Sequence, residues 1–266
     1  MLRLCAEEQL KYIDREFKLG LFEGFSDISA CIEACERRNL YAHTGGIVSK
    51  LYLEKCNNAK VHWNDSKQPK TGECLEVSQE YFTKTIGAFS VLAVRITQGI
   101  LRRYIPEEKA PADKHLNAIG IIYLENEDYL VAEQIFDFAL SIPEKHLSED
   151  VARKRFIINK CIALYHLNRK DEMEKMLTAF DWSAMHPRFI LAIYVLRDDW
   201  TNCTKLMPTA DITAKEYRDW PLFRVFRKTN EFRAQYKKQF GIDFAYEPDL
   251  NKQNHEPQGE SSEAKQ

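Results

Sequence analysis

The sequence predicts an all-α fold, a helical bundle followed by an array of helical hairpins, and three observations carry that expectation. Apolar residues recur at three- and four-residue steps along most of the chain, the period of one helix face. Glycine and proline number only 10 and 9 in 266 residues, and long runs lack both, which disfavours a turn-rich β fold. From about residue 112 a pattern of small and aromatic residues comes round again, as it does where helix pairs stack on one another.

The first helix is expected over residues 7–19, with Leu10, Ile13 and Phe17 on one face and charged residues opposite. Gly20 and Gly24 interrupt it. Ser26 or Asp27 is placed to cap a second helix, whose apolar stripe is Ile28, Cys31, Ile32 and Cys35 and whose outer side carries Glu33 and Glu36. Continued at about 100° per residue, that stripe takes in Asn39 and Ala42, keeps His43 near its centre and puts Arg38 at its edge. Gly45-Gly46 supplies the left-handed residue that ends helices.

A short helix is expected over residues 47–56. A polar loop with a small hairpin near residues 61–63 follows, and then a long helix over residues 78–104. Phe82, Ile86, Phe89, Ala93, Ile96 and Ile100 are expected to face inward from it. Between residues 86 and 94 it is apolar almost all round, so it is the expected central, enclosed helix. The charged connector 106–111 is the expected domain boundary, giving a bundle over 1–108 and an array over 112–243.

In the array, Gly120, Ala132 and Ala139 let two antiparallel helices approach, while Tyr123 and Phe136 fill between them. A weaker copy contains Asn159, Cys161 and Leu164, then Met173, Leu177 and Phe180. Residues 189–196 and 200–206 form a shortened third pair, with turns at 168–171 and 197–199. Residues 213–240 are expected to cap the open end, and the tail over 244–266, poor in apolar residues, is expected to be disordered.

The formal net charge of -2 supplies no global attraction to nucleic acid or anionic membrane, though a local basic face can still provide one. The first residues lack the apolar core of a signal peptide, and the most apolar run, 86–96, is far shorter than the ~20 residues of a membrane span. A soluble, cytoplasmic protein with no membrane partner is expected. The seven cysteines are odd in number and mostly scattered, the pattern of reduced, buried thiols. No cofactor is called for, and Cys31, Cys35, Cys56, His62 and Cys74 match no compact zinc-ligand spacing.

The chemistry-bearing stretch is Glu36-Arg37-Arg38-Asn39-Leu40-Tyr41-Ala42-His43-Thr44-Gly45-Gly46. Arg38-Asn39-x-x-x-His43, its flanks, the Gly-Gly stop and Tyr52-Leu53 beyond it resemble the HEPN domain family over roughly residues 7–104. The array from Asn117 to Pro143 resembles a tetratricopeptide repeat. The repeat is degenerate, since Gly120 and Cys161 stand 41 residues apart instead of about 34. HEPN bundles place two long helices before the motif helix, and only one is read here. The bundle is therefore expected to be N-terminally incomplete or to borrow a helix from its partner.

The HEPN resemblance implies a homodimer formed through the motif helix, with RNA as partner and Arg38, Asn39 and His43 as catalytic residues. It also implies a metal-independent endoribonuclease or RNA-binding module of bacterial toxin or phage-defence type. The residue types suit that chemistry. A histidine moves protons near neutrality, an arginine fork stabilises the extra charge of a phosphorane, and dependence on the 2′-hydroxyl selects RNA.

Some HEPN members instead only dimerise, and the same three residues suit a polar network that fixes an interface in a non-catalytic scaffold. Arg37 is expected to pair with Glu33 four residues back, with a minor part in holding RNA. The repeats are expected to take a protein or peptide partner. His115, His146, His166 and His186 lack partners at useful spacing. The basic-aromatic stretch 218–238 suits a capping element with a cationic outer side better than an RNA track.

Overall fold

The computed structural model describes residues 5–63 and 67–244, so the tail from residue 245 lies outside the described residues. Among them are twelve α-helices and one isolated antiparallel bridge, Ile47 to Cys74, with no strand. The all-α class holds. The chain divides into two compact units, Met1–Ala184 and Met185–Gln266.

The first unit contains α1 (Ala6–Phe17), α2 (Ile28–Thr44), α3 (Lys50–Asn58) and α4 (Gln79–Tyr104), then α5 (Lys109–Glu125), α6 (Tyr129–Ser141), α7 (Asp150–His166) and α8 (Lys170–Thr178). Helix α1 ends where Lys18 turns left-handed, at φ 50°. Asp27 stands at the N-cap of α2 without capping it; its carboxylate instead accepts a hydrogen bond from Gln134 of α6 at 2.7 Å. Gly45 and Gly46 end α2 as expected, both left-handed.

After the stop the chain runs extended through Val48, and Ser49 caps α3 by accepting from Tyr52 N. The loop after α3 returns to this extended piece: Val48 N donates to Glu73 O at 2.8 Å and Leu75 N to Gly46 O at 3.0 Å. That pairing takes the place of the hairpin expected near residue 61. Leu40, Val48, Tyr52 and Cys56 form a small core beneath it, with Trp63 and Leu75 against them.

Helix α4 packs with the opposite face to the one expected. Gly87, Ala88, Val91, Leu92, Val94, Gln98 and Arg102 are buried. Phe82, Ile86, Phe89 and Ala93 are exposed, and Ile96 and Ile100 half-buried. Over these turns the helix is apolar on every side, so periodicity cannot choose the inner face. Small residues choose it: a Cβ on Gly87 would meet Val131 Cγ2 of α6 at 2.7 Å.

Pro106–Glu108 form a single 3-10 turn leading straight into α5, inside the first unit. Helices α5 and α6 form an antiparallel pair, α6 also packs on α7, and α7 pairs with α8. In both pairs a left-handed residue, Glu127 or Asn168, turns the chain. In each, a 2.9 Å bond reaches five residues back, from Asp128 N to Tyr123 O and from Arg169 N to Leu164 O. At Gly120 α5 and α6 approach closely: a Cβ there would stand 2.8 Å from two carbons of the Phe136 ring. That ring is fully buried and cannot step aside. Gly120→Ala is therefore expected to cost about 1–3 kcal/mol, read as a lowered urea midpoint with an unchanged slope.

The second unit contains α9 (Pro187–Leu196), α10 (Trp200–Leu206), α11 (Ala214–Asp219) and α12 (Asn230–Phe240). Helices α9 and α10 repeat the same turn, with Asp198 left-handed and Asp199 N bonded to Tyr194 O at 2.9 Å. Pro221 breaks the expected terminal helix into α11, two 3-10 turns and α12. Tyr217, Phe223, Phe226, Phe232 and Tyr236 form a buried aromatic core there.

Candidate functional site

The C-terminal half of α2 carries the Arg38-Asn39-x-x-x-His43 segment, and its polar residues divide into two sets. Glu33, expected on the outer side, is buried. Its carboxylate accepts from Tyr52 Oη of α3, from Tyr81 Oη of α4 at 2.7 Å and from Arg37 Nε at 2.7 Å. The Arg37 guanidinium lies over the Tyr81 ring, 3.9 Å from its centroid, and donates to Glu76 O at 3.1 Å. Glu36 is buried as well, where Lys55 of α3 donates to it at 2.8 Å.

Burial first, and then the Glu33 carboxylate, push the Tyr52 and Tyr81 hydroxyls above the ordinary tyrosine range. The network is thus tied by protonated phenols donating to a buried carboxylate. Such groups tolerate burial only when fully partnered, and the partners come from α3 and α4. A periodicity reading of α2 alone counts both glutamates as outer residues.

The second set faces solvent. Arg38, Ala42 and His43 are exposed and Asn39 is half-buried, so the inward stripe expected to run through them stops at Cys35. Arg38 Nη1 donates to Asn39 Oδ1 at 3.3 Å, and Asn39 Nδ2 makes a long contact of 3.5 Å to Glu36 Oε2. The His43 ring has no hydrogen-bond partner among the described residues. On an α-helix five residues separate side chains by about 140° around the axis and about 7.5 Å along it. One copy of α2 therefore does not bring Arg38 and His43 to a single point; a site using both needs a second copy or a bridging substrate.

The remaining candidates have structural partners or none. Burial pushes the Cys31 and Cys56 thiols up to about 12, which keeps them protonated and inert. Among the described residues no group of three His, Cys, Asp or Glu side chains is placed to hold a metal ion. His166 stacks on Tyr129, His186 caps α9 through Nδ1, and the backbone carbonyl of His146 accepts from Arg102. His115 is exposed. In the stretch 218–238, Phe223, Phe226, Phe232 and Tyr236 are all buried, so these rings are not free to stack on bases. Compared with protein-family models, curated proteins and solved structures, the chain matched nothing.

Proposed function

We propose that the chain is a dimeric, metal-independent endoribonuclease or RNA-binding module of bacterial toxin or phage-defence type, with Arg38, Asn39 and His43 of α2 as its site. One observation carries the reading. Glu33, Glu36 and Arg37 are all used in holding α2 to α3 and α4, whereas Arg38 and His43 face solvent: Arg38 reaches that network only through Asn39, and the His43 ring takes no part in it. A polar network built to hold this chain together would consume the His43 ring and bond Arg38 directly. The resemblance of the segment to HEPN domains supplies the reaction class.

In that reaction the 2′-oxygen of RNA bonds to the adjacent phosphorus while its proton passes to one His43. The P–O5′ bond breaks, and the departing oxygen takes a proton from His43 of the partner subunit. Arg38 stabilises the phosphorane's added charge and Asn39 orients the Arg38 fork. The hairpins of α5 to α8 would hold a protein or peptide partner that directs the activity.

The test is incubation of purified protein with mixed RNAs in excess chelator, beside His43→Ala and Arg38→Ala. Wild type is expected to cleave, and each substitution to lower the rate at least ~100-fold with circular dichroism unchanged, since both side chains are exposed. Absence of cleavage by wild type would favour the non-catalytic interaction scaffold, and cleavage that survives both changes would reject Arg38 and His43 as the site.

A further inference from the structure

The exposed apolar residues of α4 are spaced as a seam. Phe82, Ile86, Phe89 and Ala93 follow steps of four, three and four, and Ile96 and Ile100 continue the same heptad register. The end of this seam lies close to the chain leaving α1, where Leu19 stands against Gly99 and Phe17 meets Tyr104 edge-on. Its first three turns lie bare, with Phe82 56%, Ile86 49% and Phe89 37% exposed. Thr83, Thr85 and Ser90 border them, so no charge interrupts the strip from residue 85 to residue 94.

We infer that this strip pairs with the same strip of a second copy, α4 against α4, antiparallel and about a two-fold axis. The sizes of the side chains argue for a copy over an unrelated partner. In an antiparallel two-fold contact, residue i meets j and j meets i. Centred between Gly87 and Ala88, the register sets Phe82 against Ala93 and Ile86 against Phe89. The largest side chain faces the smallest, so the strip is complementary to its own reverse.

The area sets the expected strength as weak and reversible. The two phenylalanines and Ile86 of both copies bring together roughly 500 Å² of apolar surface, taking an aromatic side chain as roughly 200 Å². That is well below the ~1,200 Å² at the lower end of standard interfaces. The 22 residues after Phe244 contain only Tyr246 and Leu250 as large apolar residues, too few to cover the strip. For its purpose the inference rests on the nuclease reading, which requires a second copy. Its geometry is independent of that reading.

Sedimentation of the full chain over a range of concentrations tests it. The wild type is expected to move from the mass of one chain to that of two. Ile86→Asp is expected to remain a single chain, with unchanged circular dichroism. Ala93→Phe, which sets ring against ring, is expected to weaken association at least tenfold, and the exchange Phe82→Ala with Ala93→Phe to restore it to within about threefold.

A wild type that stays monomeric overturns the inference. So does a dimer indifferent to Ile86→Asp, or an exchange variant no tighter than Ala93→Phe. RNA cleavage measured on the same samples separates the two claims. An Ile86-dependent dimer without cleavage upholds the pairing and rejects the nuclease. Cleavage by a dimer insensitive to Ile86→Asp does the reverse.

Discussion

Asp113→Ala is expected to cost about 3–5 kcal/mol of stability, the loss typical when one partner of a buried ion pair is removed. The Arg102 and Asp113 side chains are 6% and 2% exposed, and Nη2 stands 2.8 Å from Oδ1. The approach is off the hydrogen-bond line, so the contact is ionic. The other atoms are tied more directly. Arg102 donates to Gln98 Oε1 at 3.2 Å and to His146 O at 2.9 Å. Asp113 Oδ2 accepts from Ser148 N at 2.7 Å and Ser148 Oγ at 2.6 Å.

The pair thus joins the end of α4, the start of α5 and the loop before α7. Alanine at 113 strands a buried guanidinium and frees two donors of Ser148. Arg102→Met added to Asp113→Ala removes the stranded charge, and the double variant is expected to lose less than Asp113→Ala alone. Urea unfolding followed by circular dichroism measures both, and a loss below about 1 kcal/mol for the single change contradicts this account of the pair.

Glu33→Ala is expected to have an effect of similar size, about 3–5 kcal/mol, because three donors, from Arg37, Tyr52 and Tyr81, lose one acceptor. The same network sets an alkaline limit. Both tyrosine hydroxyls are held protonated above the ordinary value, chiefly by burial and then by Glu33. In the unfolded chain they lose their protons near pH 10. The folded state therefore binds more protons above that pH, and the stability they contribute is present below about pH 10 and declines as pH rises past it. Tyr52→Phe is expected to flatten this decline; an equally steep alkaline slope in that variant contradicts the assignment.

These cases show what could be read from the chain and what could not. The helices, the Gly45-Gly46 stop and the Glu33–Arg37 pair were legible because they depend on residues within a turn of one another. The tight approach at Gly120 was legible from small residues placed opposite large ones. The inner side of α4 was not, since an all-round apolar helix has no phase and Val131 selects the Gly87 side from 44 positions away. The burial of Glu33 and Glu36 was hidden for a related reason: Tyr52, Lys55 and Tyr81 belong to other helices. With those carboxylates facing inward, Arg38 and His43 are left on the solvent side. The candidate residues were therefore legible by type and spacing, but their orientation was not.

The most direct test of the central claim is the chemistry of the RNA ends. Products formed in excess chelator should carry 2′,3′-cyclic phosphate and 5′-hydroxyl termini by mass spectrometry, and a 2′-deoxy nucleotide at the cleavage position should abolish them. Products ending in 3′-hydroxyl and 5′-phosphate, or cleavage that persists with the 2′-deoxy nucleotide, would contradict a mechanism built on His43 and the 2′-hydroxyl.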